Sequence, residues 1–462
     1  MQRTVEFVEN ISRKRLFFLI AVYLLAAFFI WHLGMDIYYG EFNPILRKDG
    51  PAGLLAGNVA ERGIFSRDGI NPTGYAAPLY VLFAALLMKL FGSSYEWVLV
   101  AIQVVLAVII GFLIFKITEK TFQSRTAGII SIILYSAHAE LAFTFAFALR
   151  EVGFFAFFLL LFIYVLMEGK LDQRRIILAA VIAALAALTR PTGMLLFGVL
   201  GLWIFYNSWK EKINFFTMIK KFAVSAGLTF LLLVSPWLIY ESYVLDSVVV
   251  TTSTTSGTNL LTGNNPVAER IYPLVDMDLL EEPFENILDQ RGLEKFVDEV
   301  ARENHLQKLA VTYIKENPDK FLKLAALKFF AFYSPLSTPL GHGDVVKKDG
   351  KITVENFSLG AINVVYFPFM LILYGGIILF LVYGIRAKIK TKTYFTKIAF
   401  LTLLIITLNH MVFIAESRHR FPFDPLLIVF AAGGYYYYYY YYWKKSESAV
   451  KITKPENIGE SW

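Results

Sequence analysis

The sequence has 462 residues, of which 56% are hydrophobic and 18% are charged. Ordinary soluble domains carry roughly a quarter charged residues, so this composition argues against that class and for an integral membrane protein. The formal net charge of +7 does not indicate nucleic acid, because Lys and Arg accumulate in the cytoplasmic loops of membrane proteins. The chain contains no cysteine, which excludes disulfides and thiolate metal sites.

Apolar stretches long enough to cross a bilayer, for which about 20 helical residues are needed, recur along the chain. The stretch from Arg15 to Gly34 is longer than a signal-peptide core and lacks a convincing cleavage site, so we interpret it as a retained span. The sequence therefore predicts an all-α polytopic helical bundle of about ten spans. They are residues 16–34, 95–115, 127–147, 152–167, 176–190, 193–209, 222–240, 360–385, 396–415 and 423–443.

A further apolar stretch, residues 76–92, decides the topology, because each added span inverts everything that follows it. If this stretch does not cross, all the basic clusters lie on one side, which is the cytoplasm. We therefore predict a half-buried or re-entrant helix at the outer surface. The clusters are Arg13/Lys14/Arg15, Lys116/Lys120/Arg125, Lys170/Arg174/Arg175, Lys210/Lys212/Lys220/Lys221, Arg386/Lys388/Lys390/Lys392 and Lys444/Lys445.

This topology predicts two large extracytoplasmic segments and four parts of the chain. Residues 1–240 form an amino-terminal transmembrane catalytic module, whose first outer loop is 35–94. An extracytoplasmic region follows at 241–358, then carboxy-terminal transmembrane helices at 359–443 and a cytoplasmic tail at 444–462. Within the second outer region, the apolar spacing of ENPDKFLKLAALKFFAFYSPLSTP predicts an amphipathic helix that lies on the membrane.

The first outer loop is rich in acidic residues. A carboxylate there is suited to take a proton from an attacking acceptor hydroxyl, as a general base does. Residues 50–62 have the pattern of a short helix, and Asp49 precedes it where an N-cap stands, so cap and base remain alternatives. The acids are Asp36, Glu41, Asp49, Glu61 and Asp68.

Four further polar features fall on the same predicted face. Arg150 and Glu151 interrupt two apolar runs, as an ion pair at a turn or as functional charges. Arg190 ends one span before Pro191, and its guanidinium suits either snorkelling or a phosphate.

The other two features follow later in the chain. The run TTSTTSGTNLLTGNNP carries Asn264 and Asn265, which suit either a turn or hydrogen bonds to a sugar or phosphate. Arg418 and Arg420, in ESRHRFP, are suited to neutralise a phosphate leaving group.

Together these pieces resemble the GT-C superfamily of membrane glycosyltransferases, in the branch with protein O-mannosyltransferases and lipid A aminoarabinose transferases. The matching pieces occur in the family's order from about residue 15 to residue 430. They are the acidic first loop leading to GIFSRDGINPTGYAAPLY, then ALREVGFF, LAALTRPTG, GTNLLTGNNP and ESRHRFPFDPLL.

The resemblance implies a sugar donor on a polyprenyl phosphate, transfer at the extracytoplasmic face of a prokaryotic cytoplasmic membrane, and inversion at the anomeric carbon. It implies catalytic roles for a first-loop acid, Asp49 with Asp36 in reserve, and for Glu151 as the second acid. The family's Asp-Glu pair is absent, since Gly50 follows Asp49. A divalent cation, Mg²⁺ or Mn²⁺, is left open because arginines are available for the leaving phosphate.

Two other function classes compete with this interpretation. A transporter or flippase of a lipid-linked substrate predicts ionisable groups near the midplane and internal repeats; the sequence has no visible repeat. A non-catalytic assembly partner retains the same pattern without activity. The expected partners are the lipid bilayer, a polyprenyl-phosphate sugar and an unidentified glycan, lipid or protein acceptor, with no nucleic acid.

Overall fold

The computed structural model describes residues 11–39, 51–146, 150–168, 172–275, 298–348, 351–360, 362–386 and 393–452. The first half of this part of the chain is helical. Its helices are α1 (Arg13–Tyr39), α2 (Pro51–Arg62), α3 (Pro78–Phe91), α4 (Tyr95–Phe122), α5 (Arg125–Ala137), α6 (Ala139–Ala146), α7 (Val152–Leu166), α8 (Gln173–Thr189), α9 (Leu195–Lys210), α10 (Phe215–Phe222) and α11 (Ser235–Val244).

The second half adds shorter helices and one hairpin. These elements are α12 (Ser256–Gly263), α13 (Ala268–Ile271), α14 (Glu299–Glu316), α15 (Pro318–Phe332), β1 (Gly341–Lys348), β2 (Lys351–Leu359), α16 (Asn363–Arg386), α17 (Phe395–Val412), α18 (Ser417–Arg420) and α19 (Asp424–Ile452). Two π-helical segments, Ala223–Gly227 and Phe230–Val234, lie between α10 and α11.

Each of the ten predicted spans coincides with a helix, or with a bent pair of helices, in the described residues. Within the described residues, six helical stretches are long and apolar enough to cross a membrane, and α5 with α6 makes a seventh if that bent pair is one span. Helix α7 is apolar but shorter. The polytopic helical class is thus confirmed, whereas the count of ten and the layout of the loops stay predictions.

Helices α3 and α4 fold back on each other at Gly92, which has a φ of +54°. The Tyr80 hydroxyl donates to Gln103 Oε1 at 2.9 Å. In one straight helix these residues would stand roughly 34 Å apart, so the chain must turn sharply between them. Helix α3 alone is roughly 21 Å long, shorter than the roughly 30 Å of a bilayer's apolar core. Its length therefore agrees with a helix that does not cross.

A second sharp bend and a close helix contact also shape the bundle. Helices α5 and α6 meet at 77° on either side of His138. Helix α16 packs along α19, where a Cβ on Gly434 would stand 1.9 Å from the Gly376 carbonyl oxygen. Only glycine permits this approach, which is typical of membrane helix pairs.

The expectation of an all-α chain is wrong at residues 341–359. Strands β1 and β2 form an antiparallel hairpin with Gly341 opposite Leu359 and Lys348 opposite Lys351. The sequence between them, Asp349-Gly350, is typical of two-residue hairpin turns, and β-branched residues such as Val345 and Val354 pair across the strands.

The two short helices predicted from the sequence are confirmed. Helix α2 occupies Pro51–Arg62, and α15 occupies Pro318–Phe332. Helix α15 is amphipathic in an unusual sense, because Leu322 and Phe330 are 67% and 69% exposed while Lys328 is fully buried. Exposed apolar side chains of this size are suited to a membrane surface.

Candidate active site

Arg190 lies at the end of α8, where the local sequence fixes its backbone. Its φ of −153° and ψ of 136° are extended, as expected for a residue that precedes proline. Gly193 then lets the following turn approach α8, since a Cβ there would stand 2.3 Å from the Ala186 carbonyl carbon. The Arg-Pro-Thr-Gly sequence therefore ends the helix and places the guanidinium beside the next turn.

Glu151 faces this arginine from the start of α7. Its Oε1 lies 3.9 Å from Arg190 Nε, and the two side chains are 31% and 20% exposed. Arg190 Nη1 and the Thr192 hydroxyl are buried atoms that have no hydrogen-bond partner in the part of the chain that the structure describes. An arginine with an unused buried donor in a partly open position is suited to receive an oxyanion.

Two further arginines act on Arg190. The positive charges of Arg150 and Arg418 reach its guanidinium, as does the negative charge of Glu151. Two carboxylates thus oppose this positive charge, Glu151 beside Arg190 and Glu416 beside Arg418. Arg150 was noted in the sequence beside Glu151 but was not singled out as a ligand.

Arg418 belongs to the short helix α18, between α17 and α19. Its Nε lies 2.5 Å from Glu416 Oε2, and its side chain is 27% exposed. Its charge reaches Arg190, so the structure brings the sequence-predicted residues Glu151, Arg190 and Arg418 into one region, with a direct contact between Glu151 and Arg190.

Arg420 has a structural position, contrary to expectation. Its side chain is fully buried, and Nε donates to Asp424 Oδ1 at 2.6 Å. Nη1 donates to the Phe332 carbonyl at 2.6 Å, and Nη2 donates to the Tyr366 hydroxyl at 2.5 Å. Every nitrogen of the guanidinium is occupied by the protein, so the predicted phosphate role of Arg420 is corrected to one in packing.

Asn264 and Asn265 are also engaged internally. Asn264 Nδ2 donates to the carbonyls of Leu260 and Val412, and its Oδ1 accepts from Lys328 Nζ at 3.0 Å. Asn265 Oδ1 accepts from two backbone N–H groups that follow it, at 2.7 and 2.9 Å. Both side chains are buried, so the turn interpretation holds in place of sugar binding.

The acids of the first outer loop, called first-segment acids below, are only partly described. Asp49 lies outside the described residues, and Asp36 belongs to α1 by its backbone alone. Asp68 closes its own turn, because its Oδ1 accepts from the backbone N–H groups of Ile70 and Asn71 at 2.8 Å, which lowers its pKa well below the usual range. Asp49 and Asp36 remain the predicted catalytic acids.

The described residues do not form a divalent cation site. No three His, Asp or Glu side chains converge within that part of the chain. Glu151 and Glu416 each face an arginine, whose charge opposes a second cation. No step of the chemistry is therefore assigned to a metal here.

Residues 75–240 match the sequence family described as dolichyl-phosphate-mannose-protein mannosyltransferase. The resemblance to GT-C membrane glycosyltransferases is confirmed. This GT-C match includes Arg150, Glu151 and Arg190 and ends before Arg418. No curated protein matches the chain.

One solved structure resembles the chain over most of its length. It is the archaeal oligosaccharyltransferase AglB from Archaeoglobus fulgidus, in complex with an inhibitory peptide and a dolichol-phosphate. The TM-score is 0.45 and the identity 13%, over 95% of this chain and 53% of AglB. The chain thus spans about half of AglB's length, and a likeness at this level carries no argument about the candidate site.

Proposed function

We propose that this protein is a membrane glycosyltransferase that transfers a sugar from a polyprenyl-phosphate carrier to an acceptor at the extracytoplasmic face. The observation that carries this proposal is the buried Nη1 of Arg190, which has no hydrogen-bond partner among the described residues and lies within the electrostatic reach of Arg150 and Arg418. The family match supports the donor class, because its description names a dolichyl-phosphate sugar.

The chemistry of such a donor explains why arginines are needed. When an acceptor oxygen attacks the anomeric carbon, the bond from that carbon to the phosphate oxygen breaks and its electron pair stays on the phosphate. A diester with one negative charge becomes a monoester with two. Fixed positive charge placed at the developing anion lowers the barrier, since the stabilisation is greater in the transition state than in the bound donor.

The remaining roles follow from this placement. A first-segment acid, Asp49 or Asp36, accepts the proton of the acceptor hydroxyl, and attack from the opposite side of the sugar inverts the anomeric centre. Glu151 orients Arg190 through their ion pair. The positive-inside distribution supports an extracytoplasmic site in a cytoplasmic membrane.

A transporter or flippase is the competing function. The observation in its favour is a buried ionisable network, in which His138 Nε2 lies 3.1 Å from Asp424 Oδ2 and Arg420 pairs with the same carboxylate. Ionisable groups inside a bundle are functional candidates by default. These groups are paired with one another, however, and such pairing is as well suited to stabilising the helix packing as to transferring protons.

Mass analysis of envelope glycoproteins, glycolipids and lipid-linked sugars in a deletion strain tests the proposal. We expect one saccharide to disappear from an acceptor while its polyprenyl-phosphate sugar accumulates. Detergent-solubilised membranes separate the two functions, because a flippase is not needed once sidedness is lost. Transfer that is absent from the deletion membranes and restored by adding the purified protein supports the transferase; normal transfer without the protein contradicts it.

A further inference from the structure

A pair of stacked histidine rings lies within the electrostatic reach of Arg190 and Arg418. The rings of His410 and His419 lie 5.4 Å apart at 15°, and Phe332 stacks on the other face of His410 at 5.0 Å. The charges of Arg418 and Arg190 both act on the His419 ring. His419 directly follows Arg418 in helix α18.

The backbone fixes the tautomer of His419. The Glu416 backbone N–H donates to His419 Nδ1 at 3.1 Å. A ring nitrogen that accepts a hydrogen bond carries a lone pair, so the proton of the neutral ring is on Nε2. Among the described residues Nε2 has no hydrogen-bond partner, so its N–H remains available as a donor on a ring that the charges of Arg418 and Arg190 reach.

The surroundings also keep this ring neutral. Burial lowers the pKa of His419 well below its usual value, and the charges of Arg418, His410 and Arg190 lower it further, in that order. His410 Nδ1 lies 2.8 Å from the Ile414 carbonyl oxygen. Because a carbonyl oxygen only accepts, the proton of a neutral His410 ring is on Nδ1, whereas that of His419 is on Nε2. His419 can therefore donate a hydrogen bond without adding a fourth positive charge to the cluster.

We propose that the Nε2–H of His419 donates a hydrogen bond to the carrier phosphate and strengthens it as the phosphate gains its second negative charge. This inference rests on the proposed function. The proton stays on His419 throughout; the acceptor's proton goes to the first-segment acid, and the electron pair of the broken carbon–oxygen bond goes to the phosphate. His410 is a positioning residue that holds the His419 ring by stacking.

Two farnesyl esters test this role without knowledge of the sugar. Farnesyl phosphate stands for the doubly charged product, and farnesyl methyl phosphate stands for the singly charged donor. A neutral hydrogen-bond donor that stabilises the developing charge strengthens the binding of farnesyl phosphate more than the binding of farnesyl methyl phosphate. With purified full-length protein in nanodiscs, His419→Phe, which keeps the stacking, is expected to weaken farnesyl phosphate binding about tenfold or more and methyl ester binding much less.

His419→Gln restores most of the lost affinity, because its amide nitrogen reaches the position of Nε2, whereas the shorter His419→Asn does not. His305→Phe on α14 is the matched control and binds both esters as the wild type does. Unchanged farnesyl phosphate affinity in His419→Phe overturns the inference, and if that variant fails to fold, equal affinities of the Gln and Asn variants overturn it. If Arg190→Gln loses binding to both esters while His419→Phe binds them as the wild type does, the role of His419 alone is contradicted. If the wild type binds neither ester, the proposed function is contradicted as well.

Discussion

Glu151 and Arg190 join the turn before α7 to the end of α8, with Glu151 Oε1 3.9 Å from Arg190 Nε. The contact is long for an ion pair and both groups are partly exposed, so its contribution to stability is small. We propose that it aims the guanidinium, whose Nη1 has no hydrogen-bond partner among the described residues.

Removing the carboxylate is expected to lower transfer through misdirection of Arg190. Glu151→Gln should reduce kcat/KM for the lipid-linked donor, and a double-mutant cycle with Arg190→Gln should give a coupling energy of about 0.5–1 kcal/mol. Glu61→Gln on α2 is the control and should retain wild-type kinetics. Additive effects of the two substitutions would mean that the contact plays no part in catalysis.

The two first-segment acids make separable predictions. Asp49→Asn is expected to abolish transfer by about 10²- to 10⁴-fold, the range for loss of a general base, while membrane insertion and donor binding stay normal. Asp36→Asn should have a smaller effect. Single-turnover kinetics with both variants measure the chemical step. The reverse order of effects assigns the base to Asp36, and full activity in both variants contradicts a first-segment base.

Arg420 is expected to affect stability before catalysis. Arg420→Met leaves the buried Asp424 without its arginine and with only the His138 contact, and breaking a buried ion pair costs about 3–5 kcal/mol. Thermal unfolding in detergent should show a markedly lower Tm, and Arg420→Met/Asp424→Asn should recover part of the loss. A wild-type Tm for the single variant, together with lost donor affinity, would instead favour the original phosphate role.

Because Lys328 is buried, we predict that the stability of the folded protein depends on pH. Burial lowers its pKa from 10.5 to about 7, and its Nζ donates to neutral acceptors, Asn264 Oδ1 at 3.0 Å and the Val412 carbonyl at 3.2 Å. Between about pH 7 and 10.5 the unfolded chain binds the proton that the folded chain lacks. Stability therefore rises with pH in that window by at most about 1.4 kcal/mol per unit, and below it Lys328 adds no slope.

The measurement is the Tm of the wild type and of Lys328→Met across pH 6–10. The variant should lose the upward slope, whereas Lys323→Met, on the exposed side of α15, should keep it. Parallel curves for wild type and Lys328→Met would mean that this lysine does not change its protonation on folding.

Hydropathy and charge predicted the helices well because apolar runs of this length have few other uses. The same reasoning could not separate Arg418 from Arg420. Both stand in one short motif, but α18 is helical, and residues two apart in a helix point about 200° apart. One guanidinium is therefore partly exposed and the other is buried against Asp424.

Residues held by distant elements were likewise beyond the sequence. Asn264 resembles a sugar ligand until Lys328 and the end of α17 are seen to use its amide. His419 gave no separate signal, because its tautomer depends on the Glu416 backbone. The β-hairpin does have a local signal, an Asp-Gly dipeptide between β-branched residues, which the prediction of helices alone leaves unused.

The most direct test of the account is transfer from a polyprenyl-phosphate sugar by purified wild-type protein and by Arg150→Gln, Arg190→Gln and Arg418→Gln. Each neutral substitution should lower kcat/KM, with Arg190→Gln the most severe at about 100-fold or more, while Lys89→Gln at the end of α3 remains active. Full transfer by the Arg190 and Arg418 variants would contradict the claim that this cluster holds the carrier phosphate.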